Sequence, residues 1–202
     1  MRQNPARRAA LLHAAMTLLA QRGAEALSYR NLDEAAALPV GTAANYFRTR
    51  ADLLVQLTRH VLEQLRPDPA TVTAALAGPE QERHAALLQH LLDRMLRERE
   101  ATLALLELRL LARRHPDIQD AFRETIQANL ALSQAFSDTH GFTAEPGAFL
   151  MGYLLLSGFV FEELTLPGLL PPDLGPRLIQ ALTGTGPAGS SDGADGPEWH
   201  LP

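Results

Sequence analysis

The sequence predicts an all-α protein in which a small N-terminal helix-turn-helix domain, the head, precedes a larger helical domain, the body. Apolar residues recur at intervals of three and four through most of the chain, as they do along the buried face of a helix. No segment alternates apolar and polar residues as a strand would, and no repeat of fixed length is present. An apolar fraction of 46% in 202 residues is sufficient to fill a core.

The first helix is expected at residues 5–22, and Gly23 ends it. Its inner face is formed by four apolar residues at helical spacing: Leu11, Ala15, Leu18 and Leu19. Arg7 and Arg8 lie in its first turn, where their positive charges oppose the helix dipole. A bound phosphate would explain the two charges, and ordinary solvated charge is the alternative.

Two short helices joined by a tight turn are expected over residues 28–50. Ser28 can accept a hydrogen bond from the first turn of helix 2. Pro39 pushes Leu38 out of the helical region, so helix 2 must end before it. Helix 3 is expected at residues 40–47, with Pro39 available to its first turn, where a missing N–H costs nothing.

Helix 4 is expected at residues 51–65, because Thr49 and Asp52 have the spacing of a capping box and Pro67 follows its end. It starts beside the head, and its far end must pack on the body. We therefore expect helix 4 to be the only helix that spans both parts.

Six further helices are expected in the body. They are predicted at residues 69–76, 80–98, 101–115, 116–141, 146–165 and 173–183. Neither glycine nor proline marks the break between the second and third of these, so the sequence does not place it.

The predicted domains are the head at residues 1–50 and the body at residues 51–183, with helix 4 linking the two. Residues 184–202 are rich in glycine, proline and small polar residues and cannot bury enough apolar surface to fold. A disordered tail is expected there, and docking of Trp199 on the body is the alternative.

Charge is distributed unevenly along the chain, whose net charge is -5. Residues 1–66 contain nine arginines against five acidic residues, about +4, whereas the remainder contains nine against eighteen, about -9. A basic head on an acidic body is typical of a DNA-binding unit joined to a regulatory domain.

The residue content also indicates a compartment. No cysteine is present, which excludes disulfide and thiol chemistry and fits a reducing cytoplasm. No signal peptide is visible, because apolar positions near the start alternate with arginine and histidine. The apolar run at residues 147–161 is shorter than the roughly 20 residues of a membrane span and ends in Glu162 and Glu163. We expect a cytoplasmic protein without membrane association.

An enzyme is not expected. The phosphate-binding and nucleophile motifs GxGxxG, GxxxxGK[ST] and GxSxG are absent. His84 and His90 are six residues apart and so face different sides of a helix, unlike a helical metal pair. Glu162 and Glu163 are adjacent and diverge by about 100°, so they cannot act as an acid and base pair. No catalytic residue, metal site or cofactor is predicted.

Residues 8–54 resemble the N-terminal DNA-binding domain of the TetR family of bacterial transcriptional regulators. The matching residues occur in the family's order: Leu11, Ala15, Leu18, Leu19 and Gly23 in helix 1; Ser28, Leu32 and Ala35 in helix 2; Gly41, Thr42, Tyr46 and Phe47 in the recognition helix, helix 3; and Arg50, Leu53 and Leu54 in helix 4. Four residues depart from the family pattern. Asp33 replaces a small residue, Ala37 the turn glycine, Pro39 the serine cap and Ala44 the central tyrosine of helix 3. The last departure calls one expected phosphate contact into question, but not the fold.

The resemblance implies a sequence-specific DNA-binding transcriptional regulator, a repressor that a small-molecule effector releases from its operator. In this family an effector in the body tilts helix 4 and changes the separation of the two recognition helices of a dimer. The alternative is a helical protein-interaction module that keeps the helix-turn-helix shape. Polar and basic residues at the exposed positions of the head favour DNA, since a protein-binding face would be apolar there.

Nine residues are candidates for contact with double-stranded DNA. They are Arg7, Arg8, Arg30, Val40, Thr42, Asn45, Tyr46, Arg48 and Arg50. Arg50, Tyr46 and one of Arg7 and Arg8 are assigned to phosphates, which position the protein without reading sequence. A buried aromatic residue is the alternative for Tyr46.

Three of these residues are assigned to bases. The Asn45 amide can pair with adenine, the Arg30 guanidinium with guanine, and Thr42 offers a hydroxyl and a methyl group. A solvated surface residue is the alternative for Asn45. A symmetric dimer should then require a pseudo-palindromic operator.

The expected effector is a largely apolar small molecule bound within the body. Its predicted contacts are Leu88, Leu92, Met95, Leu103, Leu106, Glu107, Leu110, Phe122, Ile126 and Phe159. Arg94, Glu107 and Arg109 could orient the ligand, and a structural ion pair is the alternative.

A two-fold homodimer is expected through the helix at residues 147–165 and one neighbour. That helix is apolar on every side, which is more apolar surface than one monomer core needs. Gly152, Ser157 and Gly158 are small enough to allow close helix approach. A central core helix is the alternative.

Overall fold

The computed structural model describes residues 4–142 and 148–184, and all regular elements within these residues are helical. The helices are α1 (Pro5–Arg22), α2 (Tyr29–Ala35), α3 (Thr42–Tyr46), α4 (Arg50–Gln64), α5 (Pro69–Ala77), α6 (Glu80–Arg97), α7 (Arg99–Ala112), α8 (Pro116–His140), α9 (Ala148–Thr165) and α10 (Leu174–Thr183). A 3-10 turn at Ala24–Ala26 follows α1. The all-α prediction is confirmed. The predicted tail beyond residue 184, with Trp199, lies outside the described residues.

The break between α6 and α7 lies at Glu98, which ends one helix and precedes the next. Its backbone leaves the helical region, with φ −78° and ψ 50°. The fully buried Thr102 hydroxyl donates to the carbonyls of Met95 (2.7 Å) and Glu98 (3.1 Å). The Thr102 hydroxyl thus gives the Met95 carbonyl a partner at the end of α6, whereas the Glu98 carbonyl also accepts from the Thr102 N–H, at 2.9 Å. The sequence did not mark this break because no glycine or proline is required.

Helix α1 packs along α7 as well as against α2 and α4. Two polar contacts fix its register, since the Thr17 hydroxyl and the Gln21 amide both donate to the Glu100 carboxylate, at 2.9 and 2.8 Å. The expectation that helix 4 alone spans head and body is therefore wrong. The apolar stripe of α1 is wide enough to face both the head and α7.

The head and body share one continuous core around α7. Its members come from α1, α2, α3, α4, α7 and α8, and the largest include Leu11, Leu19, Leu32, Phe47, Leu54, Leu57, Leu108, Ile118 and Phe122. A second, smaller cluster joins α6, α9 and α10 through Leu92, Leu156, Val160, Leu164 and Ile179. Helix α4 lies in the first cluster over most of its length, so it packs within the core that the head and body share.

Helix α9 buries only one of its sides. Leu156, Val160 and Leu164 face the second cluster, whereas five large apolar residues are exposed: Leu150, Met151, Leu154, Leu155 and Phe161. The alternative of a central core helix does not fit this exposure. Within the described residues, no helix is long and apolar enough to cross a membrane.

Candidate functional site

The turn between α2 and α3 is built around a buried carboxylate. Asp33, on α2, is only 1% exposed, and its two oxygens accept hydrogen bonds from the Gly41 and Ala43 N–H groups, each at 2.7 Å. These N–H groups belong to the start of α3, where no residue within the helix could accept them. Asp33 is thus the N-terminal cap of α3, supplied from the neighbouring helix.

Helix α3 begins at Thr42, so the prediction of a helix from residue 40 is wrong by two residues. Gly41 precedes it with φ 92°, a conformation that only glycine adopts without strain. Pro39 and Val40 therefore lie in the turn, where the Pro39 carbonyl accepts from the Thr42 N–H at 3.1 Å.

Ala37 occupies the position that holds glycine in the resembled family. Its φ of 52° is left-handed, and among the described residues no other non-glycine residue has a positive φ. The Leu38 N–H donates to the Asp33 carbonyl at 2.8 Å, which is the hydrogen bond of a Schellman ending to α2. The turn therefore keeps its shape with alanine, at a strain of about 1–2 kcal/mol.

Several candidate DNA-contacting residues lie on the outer side of α2, of α3 and of the segments that flank α3. Arg30, Asn45 and Arg48 are exposed, and Val40 is 84% exposed. The Asn45 amide group donates to the Gly41 carbonyl at 3.0 Å, so an adenine contact would require this side chain to turn. Thr42 is half-buried, and its hydroxyl donates to the Pro39 carbonyl.

Tyr46 is half-buried and joins α3 to the start of α1. Its ring packs against the first cluster, and its hydroxyl accepts a hydrogen bond from the Asn4 N–H at 3.1 Å. The Asn4 side chain in turn caps α1 by accepting from the Ala6 N–H at 2.9 Å. Tyr46 therefore combines the buried aromatic role with a position beside Arg7 and Arg8.

A chain of polar contacts connects Arg8 with the start of α4. The Arg8 guanidinium donates twice to Gln56 Oε1, at 2.9 and 2.6 Å, and the Gln56 amide donates to Asp52 at 2.7 Å. Asp52 also accepts from the Arg48 N–H at 2.9 Å. Partial burial raises the pKa of Asp52, but the hydrogen bonds from Gln56 and Arg48, with the charges of Arg8 and Arg48, lower it overall. Asp52 thus binds the backbone of Arg48 and, through Gln56, is connected to the Arg8 side chain.

The predicted Thr49 cap is confirmed, since Thr49 Oγ1 accepts from the Asp52 N–H at 3.1 Å. The return bond of the Asp52 carboxylate reaches Arg48 rather than Thr49.

Arg50 has a structural role that the sequence did not reveal. Its guanidinium donates to the carbonyls of Leu27 (2.8 Å) and Ala24 (2.7 Å), which ties the start of α4 to the 3-10 turn. The spacing of 23 and 26 residues leaves no local signal for these bonds. A phosphate contact by Arg50 would have to use its remaining donors.

A cavity of about 340 Å³ lies between α5, α6 and the C-terminal part of α8. Its lining is Pro67, Asp68, Thr71, Val72, His84, Leu87, Leu88, His90, Leu91, Arg94, Arg97, Leu132, Phe136, Ser137 and Phe142. The His84 ring stacks on the Phe142 ring, with centroids 5.0 Å apart and planes inclined by 6°. Burial lowers the pKa of His84.

Among the ten predicted effector contacts, Leu88 lines this cavity. Leu92, Met95, Leu103 and Phe159 instead belong to or pack on the second cluster, and Phe122 and Ile126 belong to or pack on the first. Leu106 and Glu107 are half-buried on α7, and Leu110 is 63% exposed there. Apolar periodicity identifies the buried face of a helix but not the gap between helices. The residues that α5 and the end of α8 contribute to the cavity lining were therefore not predicted.

The candidate orienting groups are separated in the structure. Arg94 donates from Nη2 to the Gln64 carbonyl at 2.7 Å, and Arg109 donates to the Tyr153 hydroxyl. Across residues 4–142 and 148–184, no three acidic or histidine side chains lie together as a metal site would require.

Comparison with known families gives two matches. Residues 11–57 match the family described as bacterial regulatory proteins, tetR family. Residues 79–186, more than half of the chain, match the family described as tetracyclin repressor-like, C-terminal domain. Both families are of regulators, and no curated protein matches the sequence.

Solved structures share the fold over most of their length. A transcriptional regulator from Rhodococcus sp. Rha1 has 17% identity and a TM-score of 0.71, covering 91% of this chain and 95% of its own. A TetR family member from Streptomyces coelicolor A3 has 24% identity and a TM-score of 0.65, with 89% and 99% covered. The multidrug binding protein EbrR, in complex with imidazole, has 24% identity and a TM-score of 0.64, with 93% and 99% covered.

Proposed function

The chain belongs to the TetR family of bacterial transcriptional regulators, and on that premise we propose that it is a repressor released from its operator by a small molecule. The observation that carries the proposal is the contact of Arg94 with Gln64. Arg94 lines the cavity of the body, and Gln64 is the last residue of α4, whose first residue, Arg50, is bonded to the head. One helix thus lies between a ligand cavity and a DNA-binding surface.

The outer surface of the head supports DNA rather than protein as the partner. Its exposed side chains include Arg30, Asn45 and Arg48, with Arg7 and Arg8 beside them on α1. Basic groups of this kind bind phosphates and base edges, whereas a protein-docking surface would be mainly apolar. Val40 is the exception, and its isolated methyl groups suit contact with a thymine methyl.

We propose a two-fold dimer formed by α9 and one neighbouring helix. The five exposed apolar residues of α9 form a surface that a second copy can cover, and a two-fold axis brings like surfaces together. Two recognition helices related by that axis read two half-sites, so the operator is expected to be a pseudo-palindrome with half-sites about one helical turn apart. A regulator bound to the bacterial chromosome works in the cytoplasm.

Release of the protein from DNA follows if the ligand binds two conformations of the protein with different affinities. EbrR has also been solved in complex with ethidium, which supports a small-molecule effector for this chain. If a ligand binds the state with displaced α4 helices more tightly, it shifts the population away from DNA by the ratio of its two affinities.

The test begins with selection of operator DNA from random genomic fragments. Fluorescence anisotropy of the selected fragment and a scrambled copy then measures specificity as a function of salt. We expect a clear preference for the selected fragment. Arg48→Ala should weaken binding, whereas Arg113→Ala, at an exposed residue of the body, should have little effect. Equal affinity for both DNAs would favour the protein-interaction module. If no ligand that binds in the cavity changed the affinity for the operator, release of the protein from DNA by an effector would be refuted.

A further inference from the structure

We infer that the cavity between α5, α6 and α8 takes an organic anion with a planar apolar body, whose acid group pairs with Arg94 and Arg97. This inference rests on the proposed function for the existence of an effector, and it adds the chemical class of that effector.

The charged groups that line the cavity are predominantly positive. Arg94 and Arg97 lie three residues apart on α6, and Asp68 is the one carboxylate among the described lining residues. Asp68 is exposed and already acts as the cap of α5, accepting from the Ala70 N–H (3.4 Å) and the Thr71 hydroxyl (3.2 Å). The cavity therefore has a positive excess although the chain as a whole is acidic.

Arg94 has an unused donor in a buried position. Its Nη2 donates to the Gln64 carbonyl, whereas its Nε is buried and has no hydrogen-bond partner among the residues that the structure describes. A guanidinium binds a carboxylate or sulfonate through two parallel N–H groups, one of which can be Nε. An unpaired buried N–H is unfavourable, and an acid group at this position would supply the missing acceptor.

The remaining lining suits a planar apolar body. The stacked rings of His84 and Phe142 provide a flat surface, and Phe136 lies beside them with its centroid 6.0 Å from that of Phe142. Leu87, Leu88 and Leu91 form the α6 side of the cavity. Burial lowers the pKa of His84, which disfavours a positive charge on the ring at this end of the cavity.

Such a ligand would act on α4 through a single side chain. An acid group on Arg94 competes for, or reorients, the guanidinium that holds the Gln64 carbonyl. Since Gln64 ends α4, a change in this bond alters the helix whose other end is tied to the head by Arg50. Arg94 is therefore the residue that links ligand charge to the position of α4.

The test uses three fluorescent probes on the full chain. 1-Anilinonaphthalene-8-sulfonate is the anion, N-phenyl-1-naphthylamine is the same ring system without the acid group, and ethidium is a planar cation. We expect the anion to bind at least tenfold more tightly than either of the others. Arg97→Gln should weaken binding of the anion about three- to tenfold, as expected for an exposed charge pair, and should leave the affinity for the neutral probe unchanged.

Arg113→Gln is the matched control, because Arg113 is exposed at the end of α7 and does not line the cavity. Arg94→Gln should weaken binding of the anion more than Arg97→Gln does. The melting temperature of each variant checks that it is folded. Equal binding of the anion and the neutral probe, tighter binding of ethidium, binding of none of the three, or equal effects of Arg97→Gln and Arg113→Gln would each overturn the inference.

Anisotropy on the selected DNA separates this inference from the proposed function. Release by ethidium or the neutral probe but not by the anion would refute the charge assignment and retain the effector function. Preference for the anion without any release would support the charge assignment and refute the effector function.

Discussion

The carboxylate of Asp33 on α2 accepts a hydrogen bond from the Ala43 N–H of α3 at 2.7 Å, and its other oxygen accepts from Gly41 at the same distance. A buried acid thus determines where the recognition helix begins and how it is oriented on α2. In the family pattern this position holds a small residue, so the chain reaches the same geometry with a different group.

Asp33→Ala should lower the free energy of unfolding by roughly 2–4 kcal/mol, because the Gly41 and Ala43 N–H groups at the start of α3 lose their acceptor. Binding to the selected DNA should weaken as well, since α3 loses its orientation. Urea unfolding measures the first effect. Glu34→Ala, at the exposed neighbouring position, is the control and should change stability by less than about 0.5 kcal/mol. Equal effects of the two substitutions would refute the capping role.

Arg50 is expected to act in both structure and DNA binding. Arg50→Ala should lower the free energy of unfolding by about 1–3 kcal/mol, through the lost bonds to Ala24 and Leu27. It should also reduce the salt slope of DNA binding by about two per dimer, one for each lost phosphate contact. Arg50→Lys keeps the charge but cannot span both carbonyls, so it should destabilise the fold while retaining the slope. If the salt dependence of DNA binding were unchanged in Arg50→Ala, Arg50 would not contact a phosphate.

Asn45 and Arg30 are expected to read bases. Asn45→Ala or Arg30→Ala should cost roughly 1–3 kcal/mol per contacted site and relax the preference at one base pair, while the salt slope stays nearly constant. Titration of single-base-pair variants of the selected DNA measures both quantities. If either substitution weakened selected and scrambled DNA alike, that residue would belong with the phosphate contacts.

The dimer is expected to depend on the exposed side of α9. Leu154 is 59% exposed on this helix, and Leu154→Glu would place two like charges in an apolar interface. Light scattering at micromolar concentration should then give the mass of a monomer, against a dimer for the unmodified chain. Leu169→Glu, at a residue 60% exposed in the loop after α9, should remain dimeric. A stable monomer for the unmodified chain would exclude the dimer altogether.

Acidification should destabilise the fold partly through His60. Burial, and to a lesser extent the nearby His13, lowers the pKa of His60 below its ordinary value of 6.5. Below pH 6.5 the unfolded chain therefore binds a proton that the folded chain does not, so stability is lost as the pH falls. The lowered pKa of Asp52 has no effect in this range, because it acts only below pH 3.8.

Thermal melts between pH 7.5 and 5.5 measure this dependence. His60→Asn should reduce it, because the shifted group is removed. His84, whose pKa burial also lowers, contributes with the same sign, so the dependence should shrink rather than disappear. The same pH dependence in the His60→Asn variant and the unmodified chain would contradict this assignment.

Most of the helices were determined by local signals in the sequence. Helix α1 has the predicted ends because Asn4 and Gly23 act within a few residues of the backbone groups that they satisfy. The Ser28 cap is confirmed for the same reason, since it accepts from Asn31 only three residues away. Apolar periodicity of 3.6 is likewise a local property, so the all-α class could be inferred without any tertiary contact.

The tertiary structure alone decided which distant groups meet. Asp33 binds N–H groups eight and ten residues away across a turn, Arg50 binds carbonyls 23 and 26 residues away, and Arg94 reaches Gln64 at a distance of 30 residues. Periodicity gives each helix its buried face, but it does not specify the neighbour against which that face packs. The cavity of the body was therefore determined by the relative positions of α5, α6 and the end of α8, because a gap between helices belongs to no single segment of the sequence.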